Sequence, residues 1–311
     1  MDKFLVTGGA GFIGSHIVER LLKDGHFVRV LDNLSSGKKE NLDLTNPNLE
    51  LFVGDIVNYE DCRNALRGIE FCLHQAALRS VPKSMLNPYD YNKVNIDGIL
   101  NMLRAAREAG IKRFVFASSS SVYGDTNIFP QKEEHLPRLI SPYALSKLAG
   151  EYYCRIFSKN YGLETVSLRY FNVFGPRQAL DDEYSVVIPK FIANMLKDLP
   201  PPVHGDGRQS RDFTYVESIV EANVLSALTA NVKCEVFNAA CGKDYSILEI
   251  VGALNKIMHK KIRPVFEPSR MGDVKRTLAD ISRIKKSLKY RPQVSFEDGL
   301  ATTVNWVSSR L

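Results

Sequence analysis

Short apolar, β-branched runs alternate with amphipathic stretches of helical period along the first half of the chain, which predicts parallel strands joined by helices. The first run, Phe4-Leu5-Val6-Thr7, reads as a buried strand that breaks into Gly8-Gly9-Ala10-Gly11. Phe12 to Lys23, closing at Gly25, reads as the helix behind it. Further strands are predicted over 27–31, 49–53, 70–73, 113–117 and 165–168, with helices from Tyr59 onward, over 89–109, and from Pro142 to about Tyr161. Beyond about residue 175 the alternation becomes irregular. Helices are expected there near 187–196, 216–230, 247–258, 282–288 and 297–308, and a short strand at 236–238 that returns to the main sheet. The fold class is therefore α/β, a doubly wound parallel sheet with a smaller C-terminal α/β lobe.

The first strand–helix junction carries chemistry. Glycines 8, 11 and 14 leave no Cβ where the strand turns, where backbone must approach a phosphate, and where the helix lies on the sheet. The helix opened by Phe12 and Ile13 then offers free N–H groups and the positive end of its dipole to a pyrophosphate. Asp32 ends the second strand 18 residues past Gly14, close to the offset of about 20 expected for an acid on ribose hydroxyls. Its charge would repel a 2′-phosphate, so NAD is expected rather than NADP, although Lys38 and Lys39 nearby could meet a phosphate. Asp55, after the third strand, reads equally as a ligand contact and as a cap for the helix from Tyr59. After the fourth strand His74 reads as a packed core residue, and Ala76 and Ala77 would let a cofactor pass close. This is a Rossmann arrangement: residues 1–175 plus about 213–240 would bind NAD, and about 176–212 plus 241–311 would form the substrate lobe.

Four serines, 118–121, end the fifth strand, an unusual number of hydroxyls for a turn. Ser141-Pro142 opens the next helix and places Tyr143 and Lys147 at i and i+4 on one face. A phenol of pKa about 10 is a poor base, but a nearby ammonium favours the phenolate. Arg211 and Arg270 are candidates for a diphosphate, because guanidinium forks match phosphate oxygens; a surface ion pair is the plain alternative for each.

Composition narrows the partners. The formal net charge of +6 is spread without a basic block, which argues against nucleic acid and leaves an anionic small substrate. Five cysteines at no metal-like spacing fit a reducing cytoplasm, and no metal site is expected. No run reaches the roughly 18 apolar residues of a membrane span, and with the first residues read as entering a strand directly no signal peptide is expected, so a cytoplasmic protein is the expectation.

The combination of Thr7-Gly8-Gly9-Ala10-Gly11-Phe12-Ile13-Gly14, Ser119, and Tyr143 with Lys147 resembles the extended short-chain dehydrogenase/reductase family. Over nearly its whole length the chain looks like the UDP-sugar 4-epimerases of that family. Motifs carrying the likeness are Gly54-Asp55-Ile56, His74-Gln75-Ala76-Ala77, Leu168-Arg169-Tyr170-Phe171-Asn172, Gly205-Asp206-Gly207, Ser210-Arg211-Asp212 and Arg270-Met271-Gly272-Asp273. The stretch Arg79 to Ser84, followed by Tyr170-Phe171-Asn172-Val173-Phe174-Gly175, looks closest to the branch handling UDP-N-acetylglucosamine. The resemblance implies catalysis by Ser119, Tyr143 and Lys147. It implies NAD contacts from the glycine loop, Asp32, Asn33, Asp55, Ile56, Ala76, Ala77, Asn95, Tyr143, Lys147 and Phe171. A UDP-sugar would meet Arg79, Ser80, Ser121, Asn172, Arg211, Arg270, Asp273 and Thr277, besides Ser119 and Tyr143. Thr277 would be the gate, its small side chain leaving room for an N-acetyl group. A homodimer is the family expectation.

Three rivals stand beside that reading. A UDP-glucuronate epimerase or decarboxylase could use Ser120, Ser121 and Arg177 on the carboxylate, though Asn172 counts against it. A 4,6-dehydratase would carry acids where this chain has Ser120-Ser121. A non-catalytic NAD-sensing protein would have no reason to keep Ser119, Tyr143 and Lys147 together.

Overall fold

The computed structural model describes residues 1–179, 187–268 and 274–311. Seven parallel strands form the central sheet in the order β11-β6-β5-β4-β1-β2-β3. From one edge these are β3 (Leu49–Val53), β2 (Phe27–Asp32), β1 (Lys3–Thr7), β4 (Phe71–His74), β5 (Arg113–Ser119), β6 (Thr165–Tyr170) and β11 (Glu235–Ala239). The order reverses between β1 and β4, and at such a switch point open α/β sheets form their ligand crevice.

Side-chain alternation along each strand sorts the core into two layers. Phe4, Val6, Val28, Val30, Val115 and Val166 face α1 (Phe12–Lys23) and α8 (Val216–Leu228). Leu5, Leu31, Cys72, Phe114 and Phe116 face α2 (Tyr59–Ala65), α5 (Gly98–Ala109) and α6 (Pro142–Tyr161). A third cluster, around Phe174, Phe191, Phe213, Tyr215 and Phe296, joins α7 (Val187–Leu196), α9 (Ile247–Ile257) and α11 (Phe296–Ser308). Phe12 and Ile13 pack against that third cluster, so the start of α1 touches both halves of the molecule.

Element types match the sequence pattern closely, and the departures are informative. β5 and β6 each run two residues further than apolar patterning predicts, because Ser118 and Arg169 continue the ladder as a buried polar pair. The helix expected over 89–109 is α4 (Pro88–Asn92) leading into α5 through a π-turn at Lys93–Asp97 that carries Asn95. Unpredicted elements comprise the short helix α3 (Val81–Leu86), α4's separate start, and three two-stranded pairings. These pairings are β7 (Val173–Phe174) with β10 (Thr214–Tyr215), β9 (Ser210–Arg211) with β12 (Tyr245–Ser246), and β8 (Pro202–His204) with β13 (Val265–Glu267). Two or three residues carry no readable period. α10 (Ser282–Leu288) lies against β11. Among the described residues no helix is long and apolar enough to cross a membrane, and no cluster of His, Cys, Asp and Glu could hold a metal ion.

Candidate active site

The end of β1 is a cradle shaped by missing side chains. Gly8 has φ +65°, and a Cβ there would sit 2.9 Å from the backbone nitrogen of Ala76. At Gly14 a Cβ would fall 2.1 Å from the Gly8 carbonyl oxygen, so α1 can lie on the sheet only with glycine at that position. The loop also holds its own acid. Ala10 N–H donates to Asp32 Oδ2 at 3.0 Å and Leu34 N–H to Oδ1 at 2.8 Å, which leaves lone pairs of a buried carboxylate at the end of β2. Asn33 donates to Asp55 Oδ2 at 3.0 Å, tying the ends of β2 and β3 together. Asp55 caps its own turn through Val57 N–H, while Asn58 caps α2, which corrects the alternative of Asp55 as that helix's cap. Ile56 packs on Gly98, where a Cβ would meet it at 2.7 Å.

On the other side of the switch point, the Thr7 hydroxyl accepts from the Gln75 and Ala76 N–H groups at 3.1 Å each and bonds His74 Nδ1 at 2.8 Å. His74 is buried between aromatic rings, and burial pulls its pKa down to about 3, as a core histidine. Asn95 fixes the next residues: its amide takes Leu78 through both N–H and carbonyl, and donates to the Ser146 hydroxyl. A π-turn within a helix is rare and marks special demands; here it turns Asn95 inward. Tyr91 donates to the Arg79 carbonyl at 2.6 Å and stands edge-on to Tyr143, ring centres 6.2 Å apart. Ser80 adopts φ +106°, a strained backbone for serine, and caps α3.

Tyr143, Lys147 and Ser119 meet at the C-terminal end of β5. Ser119 accepts from Ser121 N–H at 3.1 Å and hydrogen-bonds the Tyr143 phenol. Lys147 is buried; its Nζ donates to the Ala117 carbonyl at 2.8 Å and lies 5.9 Å from the centre of the Tyr143 ring. Burial raises the Tyr143 pKa, while the Ser119 hydrogen bond and the Arg79 guanidinium oppose it. The expectation that Lys147 lowers this phenol is therefore corrected. With no charged partner acting on it, Lys147 is itself pushed down to about 7 by burial.

Across the cleft, remote segments converge. Asn172, at φ +29°, donates to the Thr277 hydroxyl at 3.0 Å and to the Asp212 carbonyl at 3.3 Å. Arg211 is 9% exposed and donates to the Ser210 carbonyl at 2.8 Å. The Asp212 carboxylate, fully buried, accepts from Cys241, Gly242 and Ala279 N–H at 3.1, 2.9 and 3.3 Å. The Phe171 side chain is wholly inside the core. Arg270 and Asp273 lie outside the described residues.

The sequence profile of the NAD dependent epimerase/dehydratase family matches residues 4–240, the stretch that carries the cradle, Asp32 and the Ser119–Tyr143–Lys147 group. This chain belongs to that family. Among solved structures, it is 42% identical to UDP-N-acetylglucosamine 4-epimerase from Methanobrevibacter ruminantium M1 in complex with UDP-N-acetylmuramic acid, with a TM-score of 0.96 over 100% of this chain and 99% of that one. It is 38% identical to UDP-glucose 4-epimerase from Thermotoga maritima with UDP-glucose, TM-score 0.94, over 99% of both chains. A third, UDP-glucuronic acid 4-epimerase from Bacillus cereus in complex with UDP-glucuronic acid and NAD, is 35% identical at TM-score 0.93 over 99% of this chain and 100% of that one.

NAD is the cofactor of this family, and the residues present fit it: the Gly8–Gly14 cradle admits backbone only, and Asp32 keeps acceptor capacity for hydroxyl groups. Arg177 does not face the β5 end as the uronate reading had it. Its guanidinium bonds Ser15 at 3.3 Å and pairs with Glu19 of α1 at 2.5 Å. In the sequence Thr7 and Asp212 have no role of their own beyond membership of the quoted motifs, and Tyr91 and Glu151 are not singled out. Only Glu151 had a local signal, since it continues the Tyr143–Lys147 spacing by four more residues.

Proposed function

We propose that the protein inverts C4 of UDP-hexoses, acting on UDP-glucose and UDP-N-acetylglucosamine through a 4-keto sugar. The observation carrying this reading is the meeting of the Tyr143 phenol, the Ser119 hydroxyl and Lys147 at one strand end beside the glycine cradle. NAD, when bound, accepts the C4 hydride and returns it to the opposite face of the sugar. Tyr143 takes the proton of the 4-hydroxyl and gives it back on the return step, and Ser119 orients the same oxygen. Positive charge at Arg79 works against the burial that otherwise keeps the Tyr143 proton in place. Arg211 and, outside the described residues, Arg270 and Asp273 would hold the nucleotide diphosphate while the keto sugar turns about it. Asn172 and Thr277 would border the sugar, with Thr277 admitting an acetamido group. Residues 1–175 with about 213–240 would serve NAD, and the remainder the sugar nucleotide. Exposed Leu145, Tyr152 and Ile156 along α6, with Leu100 of α5, support a homodimer.

The solved relatives handling UDP-N-acetylglucosamine and UDP-glucose support the substrate pair. A uronate substrate is the second reading, favoured by the buried Ser121 hydroxyl, which has no hydrogen-bond partner among the described residues. Incubating the protein separately with UDP-glucose, UDP-N-acetylglucosamine and UDP-glucuronate, with proton NMR of the products, decides between them. The galacto epimers of the first two are expected. Turnover of the uronate alone would reject the proposal.

A further inference from the structure

Tyr143 and Lys147 are two members of a stripe of three. Glu151 follows at the same spacing on α6, and side chains at i, i+4 and i+8 share one helix face. Each reaches a different residue at the end of β5: Tyr143 the Ser119 hydroxyl, Lys147 the Ala117 carbonyl, and Glu151 the Ser118 hydroxyl. Ser118 Oγ donates to Glu151 Oε1 at 2.5 Å, a charge-assisted bond between buried groups. We propose that Glu151 is a positioning residue: clamped by Arg169, its carboxylate fixes Ser118 and so sets how the adjoining Ser119 presents its hydroxyl to Tyr143. The inference rests on the catalytic reading of Ser119 given above.

The clamp is rigid by construction. Arg169 Nε and Nη2 take the two Glu151 oxygens at 2.9 and 2.8 Å, Nη1 donates to the Glu133 carbonyl at 3.2 Å, and the guanidinium lies 4.8 Å over the Tyr123 ring. Arg169 is also the ladder partner of Ser118 across β5 and β6, so carboxylate, guanidinium and hydroxyl close a ring spanning one helix and two strands. Both ion-pair partners are about 5% exposed. Burying such a pair costs about as much desolvation as the attraction returns, so net stability does not account for it. Direction does. Ser119 Oγ accepts from Ser121 N–H, which leaves its own hydrogen for an oxygen in the cleft, and the direction of that O–H follows the peptide it shares with Ser118.

Removing Glu151 would strand a buried guanidinium, so the informative variant is Ser118→Ala, which deletes one hydrogen bond and keeps the ion pair intact. A double-mutant cycle of Ser118→Ala and Ser119→Ala, read by kcat, KM and Tm, tests the inference. Ser118→Ala should lower kcat about tenfold, a fraction of the roughly 10²-fold that an ångström of misplacement costs, with KM and Tm little changed. Ser118→Thr should restore kcat, and in the Ser119→Ala background the same change should have no further effect. Losses that multiply, or a Ser118→Ala enzyme at full kcat beside a crippled Ser119→Ala, overturn the positioning role. A Ser119→Ala enzyme at full kcat instead rejects the catalytic reading beneath it.

Discussion

The two ends of the cleft are built differently. At the end proposed for the dinucleotide, the glycine turn, Asp32, Asp55 and Ala76 follow the C-terminal ends of adjacent parallel strands, and the turn and Asp32 hold each other by a direct hydrogen bond. Short turns directly after four strands make that end, and the sheet order brings them together. At the end proposed for the sugar, Asn172, Asp212 and Thr277 come from distant parts of the chain, and Asp212 joins backbone amides of Cys241, Gly242 and Ala279. One end is inherited from the sheet, whereas the other has to be assembled. Tyr143, the proton acceptor of the proposed reaction, stands at the end of β5 with Lys147.

Disabling that residue should have the largest effect. Tyr143→Phe keeps the ring and its edge contact with Tyr91 but removes the proton acceptor, so kcat should fall by about 10²–10⁴-fold with NAD still bound. Comparable turnover in the variant and the parent would remove Tyr143 from the chemistry. Next comes the assembled end. Thr277→Tyr overfills a buried position beside Asn172 at a cost of about 1–3 kcal/mol, roughly 5- to more than 100-fold. The loss should fall on UDP-N-acetylglucosamine and spare UDP-glucose in steady-state assays. Equal loss of both would show that Thr277 acts through Asn172 and not as a gate.

Asp32→Ala probes the inherited end. Affinity for NAD should drop about tenfold and discrimination against NADP should relax, while KM for the sugar nucleotide stays put; isothermal titration with each cofactor checks it. The smallest effect is on stability. Burial pushes the Asp212 carboxyl up to about 7 against three amide donors, from an ordinary value of 3.8. The folded chain thus holds this proton more tightly than the unfolded one. The stability it contributes is full below 3.8 and is lost as pH rises through about 7. Asp212→Asn cannot titrate, so urea denaturation across that window should show a shallower decline, by at most about 1.4 kcal/mol per pH unit. Parallel pH profiles for the two proteins would place the titration elsewhere.

The same contrast explains what could be read from the sequence. Gly8, Gly14 and Asp32 were legible because a strand, a tight turn and a helix follow one another with fixed spacing. Tyr143 and Lys147 were legible as helical neighbours. Asp212 was visible only as part of a motif, and nothing local announces its role, because its partners lie 29, 30 and 67 residues away. The π-turn that turns Asn95 inward leaves the apolar period nearly intact, so a single helix was expected there. The fifth strand was expected to stop before Ser118 because polar residues end an apolar run, yet Ser118 continues the strand once Glu151 and Arg169 satisfy its side of the sheet.

In the proposed reaction C4 is oxidised and reduced in place by a hydride that never meets solvent, with Tyr143 handling only the hydroxyl proton. UDP-N-acetylglucosamine carrying deuterium at C4, converted by the protein and examined by NMR and mass spectrometry, tests this most directly. Full retention of deuterium at C4 of the galacto product is the predicted result. Washout of the label to solvent hydrogen, or a product with unchanged configuration at C4, would contradict it.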